Sequence, residues 1–138
     1  MQMQKKINSW LITQVDKGTQ ADYLELDRGE FLSNEIIIEV KNSALNYKDA
    51  LAITGMAPII RKFPLIPGID LSGVVIQSKN KKFGEGDRVF ATGWGLGELQ
   101  HGGLSSHAST DADILIKLPN KYTHSFIMGI GTAGLTAM

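Results

Sequence analysis

Three consecutive isoleucines, Ile36 to Ile38, stand inside the stretch NEIIIEV at Asn34–Val40. β-Branched side chains lose rotamer freedom in a helix and pack well on a pleated surface, so this run predicts a strand in a buried setting. The segments around it are built alike. SWLITQVD (9–16) reads as a first strand, Lys17-Gly18 as a turn and ADYLEL (21–26) as the return strand, with a second turn at 27–30. IDLSGVVIQ (69–77) is a strand interrupted by Gly73, the mark of a bulge or a close backbone approach. Further short strands are predicted at 88–92, 104–109 and 114–118.

Two helices interrupt this pattern. Tyr47–Thr54 carries Tyr47 and Leu51 one turn apart, with Asn46 placed to cap it and Gly55 to stop it. From Thr123 onward, HSFIMGIGTAGLTAM reads as a helix with an apolar face. Its three glycines at 129, 131 and 134 each cost about 1 kcal/mol relative to alanine in a helix interior. Close packing on another element, or approach of a ligand to the backbone, would offset that cost. Residues 79–82 hold three lysines and read as a solvated loop, while 93–103 hold five glycines in eleven residues. Many short strands divided by turn signals, with little helix, predict a mainly β fold, a small barrel or sandwich.

Composition narrows the function classes. Fourteen basic residues balance fourteen acidic ones, so the charge pattern predicts no nucleic-acid or anionic-membrane partner. No apolar run approaches the roughly 18 residues of a membrane span, and MQMQKK at the start has no apolar segment of a signal peptide behind it. Cysteine is absent, which removes disulfides, thiolate nucleophiles and cysteine-based zinc sites, and fits a reducing cytoplasm.

Three stretches, LNYKDALAITG (45–55), FPLIPGIDLSGVV (63–75) and GTAGLTAM (131–138), together resemble the medium-chain dehydrogenase/reductase superfamily. Within it they are most similar to the zinc-free quinone oxidoreductases of the acrylyl-CoA reductase type. The resemblance implies a GroES-like barrel over residues 1–122. Residues 123–138 would begin a connecting helix toward a nucleotide-binding Rossmann domain that this chain lacks. The fingerprint G-x-G-x-x-G of such a domain has no counterpart here, since Gly93-Trp94-Gly95 opens no βαβ pattern.

The same resemblance implies NADPH as cofactor and a quinone or an enoyl-CoA as substrate. It places Asn46, Tyr47 and Asp49 at the catalytic edge, Asn46, Thr132 and Thr136 against the nicotinamide and its ribose, and Arg61 and Lys62 on the substrate's phosphates. Plainer roles stand beside these: a helix cap for Asn46, a half-buried core position for Tyr47, a solvated loop for Arg61 and Lys62, back-bonding within the helix for both threonines. Lys48 and Asp49 would pair with each other or with the second domain, and Asp70 would satisfy backbone donors near its turn. Zinc-dependent relatives carry a cysteine in the stretch matching 46–49 and a histidine-glutamate pair where Ile69-Asp70 stands.

The function implied is the barrel-side catalytic part of a zinc-independent, NADPH-dependent reductase of quinones or α,β-unsaturated carbonyl compounds. One wall of a cleft holds a cofactor poorly, so the chain alone is expected to bind NADPH weakly or not at all. The alternative is a truncated, non-catalytic barrel serving structure or self-association. The apolar face of Phe126, Ile127, Ile130 and Leu135 is expected either to pair with its copy in a homodimer or to fray. Elemental analysis after dialysis is expected to find no zinc retained, because no cysteine exists and the three histidines lack ligand spacing. One tightly held zinc per chain would overturn that reading.

Overall fold

The computed structural model describes residues 5–137, with the backbone alone at 133 and 135–137. A long hairpin comes first, β1 (Lys6–Val15) paired with β2 (Gly18–Asp27) in continuous antiparallel register. A five-stranded antiparallel sheet follows. It contains β3 (Ile36–Ala44), β4 (Asp70–Ser78), β5 (Arg88–Thr92), β6 (His107–Thr110) and β7 (Ile116–Lys117), in the spatial order β6-β3-β4-β5-β7. Isolated bridges from Ser9 to Ser105 and from Ile12 to Leu65 tie the hairpin to the segments that lead into β6 and β4.

The isoleucine run explains why the barrel holds together. Successive strand residues point to opposite faces. Ile36 and Ile38 enter a cluster with Leu71, Val75 and Val89, while Ile37 enters a second one with Ile7, Leu11 and Ile66. All three isoleucines are buried, so β3 belongs to two cores at once. Burying each is worth roughly 1.5–3 kcal/mol. A third cluster, of Ile12, Ala52, Ile60 and Leu65, lies under the helix that follows β3.

Three local expectations need correction. The turn at 27–30 closes as one helical turn, α1 (Arg28–Phe31), because the Asp27 carboxylate accepts from the Gly29 and Glu30 amides. The strand expected at 104–109 pairs in β6 only from His107. Residues 103–104 instead run against 67–68, with Gly103 N–H donating to Gly68 O and Leu104 N–H to Pro67 O. Of the strand expected at 114–118, Ile114 ends a single 3-10 turn (Ala112–Ile114), and only Ile116 and Lys117 pair, as β7.

The remaining helices are α2 (Tyr47–Thr54) and α3 (His124–Ala137). Helix α2 has the predicted limits, ending on Gly55 in the left-handed region. Helix α3 is not one helix. Gly131 has φ 52° and ψ −165°, which breaks it into two segments. Of the face expected from Phe126, Ile127, Ile130 and Leu135, Phe126 stacks on Tyr122 at 5.2 Å yet stays 52% exposed, Ile127 and Ile130 are half-buried, and the Leu135 side chain lies outside the described residues. Met128 is buried, and α3 packs on β3 and β4. Among the described residues no helix is long and apolar enough to cross a membrane.

Gly73 meets its expectation. It pairs with Val40 beside a register shift between Val40 and Asn42, and a Cβ there would sit 2.2 Å from the Glu39 carbonyl oxygen. Gly73→Ala is therefore expected to lower stability by about 1–3 kcal/mol through overpacking against backbone. Chemical denaturation checks this, and an unchanged midpoint would show that the strands separate without cost.

Candidate functional site

The site grows from the end of β3. Asn46 leads into α2, and its backbone N–H donates to Asp49 Oδ2 at 2.9 Å. The other oxygen, Asp49 Oδ1, accepts from Ile69 N–H at 3.1 Å, tying the helix start to the residue before β4. Asp49 is only 1% exposed. Burial raises its pKa above the ordinary carboxylate value, and the two backbone donors oppose that shift. Lys48 does not pair with Asp49, whose carboxylate is turned inward. Its ammonium meets Glu98 Oε1 at 3.0 Å.

Asp70, the first residue of β4, is fully buried and has three donors. Asn46 Nδ2 donates to its Oδ2 at 2.8 Å and Thr132 N–H to the same oxygen at 2.9 Å, while the Thr132 hydroxyl donates to Oδ1. The reading of Asp70 as an acceptor for backbone donors near its own turn is thus incomplete, since its donors come from the start of α2 and the break in α3. Gly131 is required there twice over. Its φ lies in the left-handed region, and a Cβ would stand 2.7 Å from Asp70 Oδ2. The glycine cost expected for a helix interior does not arise at 131, because that residue is not helical.

A cleft of about 520 Å³ opens above this network. Asn46, Tyr47 and Lys48 form one side of its lining, Ile69 and Thr132 contribute next to Asp70, and Gly93, Trp94 and Glu98 come from the glycine-rich loop. Tyr47 is 80% exposed, which rules out the half-buried core position. Thr132 bonds to Asp70 on another element, an arrangement the back-bonding alternative does not describe. The side chain of Thr136 lies outside the described residues. Arg61 and Lys62 are exposed and stand outside the lining, although Arg61 N–H donates to Glu98 O at 3.2 Å. The structure therefore brings together Asn46, Tyr47 and Thr132, places Asp49 beneath them and leaves the basic pair on the neighbouring loop.

The histidines are dispersed. His101 Nδ1 accepts from Ile66 N–H at 3.1 Å, His107 faces Ser106 and His124 faces Ser72. Burial pushes the pKa of each down, with nearby cations such as Lys62 at His101 and Arg88 at His124 adding to it. Among the described residues no three His, Asp or Glu side chains converge as a metal site would need.

With this geometry in hand, the comparison with known proteins is direct. The alcohol dehydrogenase GroES-like domain family matches residues 32–120. The chain belongs to that family. The chain is 45% identical over 128 residues to the probable acrylyl-CoA reductase AcuI of Escherichia coli (strain K12), covering 93% of this chain and 40% of that protein. The crystal structure of E. coli K-12 YhdH with bound NADPH superposes with a TM-score of 0.90 at 44% identity, over 94% of this chain and 40% of that one. A chloroplast envelope quinone oxidoreductase homolog of Arabidopsis thaliana is 34% identical over 110 residues, or 77% of this chain and 32% of its own length. The chain thus spans about two-fifths of the length of the first two relatives. The resemblance carried by LNYKDALAITG and FPLIPGIDLSGVV holds, as does the GroES-like fold.

Reading the sequence missed Trp94 and Glu98 as cleft residues. The available signal was a tryptophan set between two glycines in a loop, a poor place to bury an indole. Asp70→Ala is expected to destabilise the chain by about 3 kcal/mol, since it strips the acceptor from the Asn46 amide and the Thr132 N–H together. Urea denaturation measures this, and a loss below about 1 kcal/mol would mean that water replaces the carboxylate at no cost.

Proposed function

We propose that this chain is the barrel-side catalytic part of a zinc-independent, NADPH-dependent reductase acting on quinones or on α,β-unsaturated carbonyl and acyl-CoA compounds. The observation that carries the reading is the convergence of Asn46, Tyr47 and Thr132 on one cleft, held from below by Asp70. The Asn46 amide oxygen, the Tyr47 phenol and the Thr132 hydroxyl oxygen, which accepts because its proton goes to Asp70, make a polar set beside the apolar Ile69 that suits a nicotinamide carboxamide and its ribose hydroxyls. The nucleotide-bearing remainder of the cofactor is assigned to a nucleotide-binding domain, with α3 as the connection toward it.

NADPH, when bound, supplies a hydride. Asn46 positions the ring and the acceptor relative to each other, its own amide being fixed by the bond to Asp70. Tyr47 donates its phenol proton in a hydrogen bond to the acceptor's carbonyl oxygen, where negative charge develops. An enone so held gains a hydride at its β-carbon, and its α-carbon takes a proton from water reaching the open cleft. Zinc independence is supported by residue chemistry: no thiolate exists in the chain, and Asp70 already serves three donors. Arg61 and Lys62, exposed beside the Glu98 backbone, suit the phosphates of an acyl-CoA.

The test joins this chain to a nucleotide-binding domain and follows NADPH oxidation with a quinone and with an enoyl-CoA. Turnover of at least one is expected, and Asn46→Ala is expected to lower kcat by more than it raises KM for NADPH, because misplacement costs rate rather than binding. Absence of turnover with every acceptor, or a kcat indifferent to Asn46→Ala, would sink the reading.

A further inference from the structure

Trp94 stands in a conformation that its type disfavours. Its φ is 56°, in the left-handed region, where a bulky side chain strains against the backbone. Gly93, Gly95 and Gly97 around it also have positive φ, so glycine at 94 would fit this loop without strain. Core burial does not offset the strain, because the indole is 74% exposed. The other tryptophan, Trp10, is exposed too, yet it packs edge-on against Tyr23 at 5.5 Å. Among the described residues no ring packs against Trp94 in this way.

The backbone that carries the indole is braced. Gly93 N–H donates to Ile69 O at 2.7 Å, and the Trp94 carbonyl accepts from Gln100 Nε2 at 3.2 Å. The indole therefore stands on a fixed base at the lining of the cleft, with Tyr47 contributing a second exposed ring from the first turn of α2. Strained backbone kept at a cleft, under an unpaired and solvated aromatic face, is what a ligand-contacting residue requires and a packing residue does not.

We propose that Trp94 is a specificity-determining residue of the cleft, the stacking wall for a flat conjugated ring in the ligand. Two rings share this chemistry: the ring of a quinone acceptor and the adenine base of a nucleotide-bearing thioester. The proposal rests on the reductase reading only for which of them arrives there.

The test uses the 138-residue chain and the variants Trp94→Gly and Trp94→Phe. Duroquinone, fully substituted and neutral, probes the acceptor ring, and adenosine probes the base. Calorimetry gives each Kd, and thermal unfolding gives Tm. Trp94→Gly is expected to keep or raise Tm, since glycine relieves the strain, while weakening one of the two ligands roughly fivefold to a hundredfold. Trp94→Phe, which keeps an aromatic face, is expected to retain most of the affinity. Loss confined to duroquinone assigns the wall to the acceptor, and loss confined to adenosine assigns it to the nucleotide. A wild-type chain that binds neither, a Trp94→Gly chain whose affinity for each ligand matches wild type, or a lowered Tm in that variant overturns the proposal. Failure of the reductase reading shows separately, as absent NADPH oxidation in the joined protein while the Trp94→Gly effect on binding persists.

Discussion

One buried carboxylate organises the cleft. Asp70 lies at the start of β4 with no exposure to solvent, and its three donors reach it from two other elements. A carboxylate in that position would be costly without partners. With them it becomes the point at which α2, β4 and the second half of α3 are held in one geometry. The break in α3, the direction of the Asn46 amide and the placement of the Thr132 hydroxyl all follow from satisfying this one group. Asp49 does the same on a smaller scale, binding the Asn46 and Ile69 backbones together. Two buried acids thus fix the edge on which the exposed Tyr47 and Lys48 stand.

The barrel beneath is a plainer matter of apolar burial. Because β3 gives alternate isoleucines to different clusters, the sheet is covered on both faces near its centre. The rigid strand end at Ala44 is what allows a polar segment to leave the sheet at Leu45 with its residues already aimed. The cleft opens where β3 ends.

Much of this was legible in the residues. The isoleucine run, the hairpin around Lys17-Gly18 and the short helix closed by Gly55 are local patterns, and local patterns are what a single chain displays. The motif runs at 45–55 and 63–75 marked the family and the end of β3, where the cleft opens. What stayed hidden depended on contacts between distant segments. Nothing near Gly131 announces that a carboxylate sixty-odd residues earlier occupies the space of its missing side chain, so a helix interior was the natural reading. Nothing near Lys48 points to Glu98. The strand expected at 104–109 shortened for the same reason, since residues 103 and 104 are claimed by the Pro67-Gly68 turn. Trp94 was in plain view, but its exposure and its backbone angle are properties of the folded loop alone.

The glycine-rich loop carries a consequence for how a ligand would be met. By composition, residues 93–103 suggest a slack linker. In the fold a Cβ at Gly102 would lie 2.1 Å from the Gly68 carbonyl oxygen, and one at Gly97 would lie 2.8 Å from the Gly68 nitrogen. These glycines are contact points, where backbone rests on backbone, and Leu96, just before Gly97, is fully buried. Fixing a loose loop costs about 1–2 kcal/mol of conformational entropy per residue. Folding has already met that cost here, so a molecule arriving between Tyr47 and Trp94 finds a wall in place and need not order one.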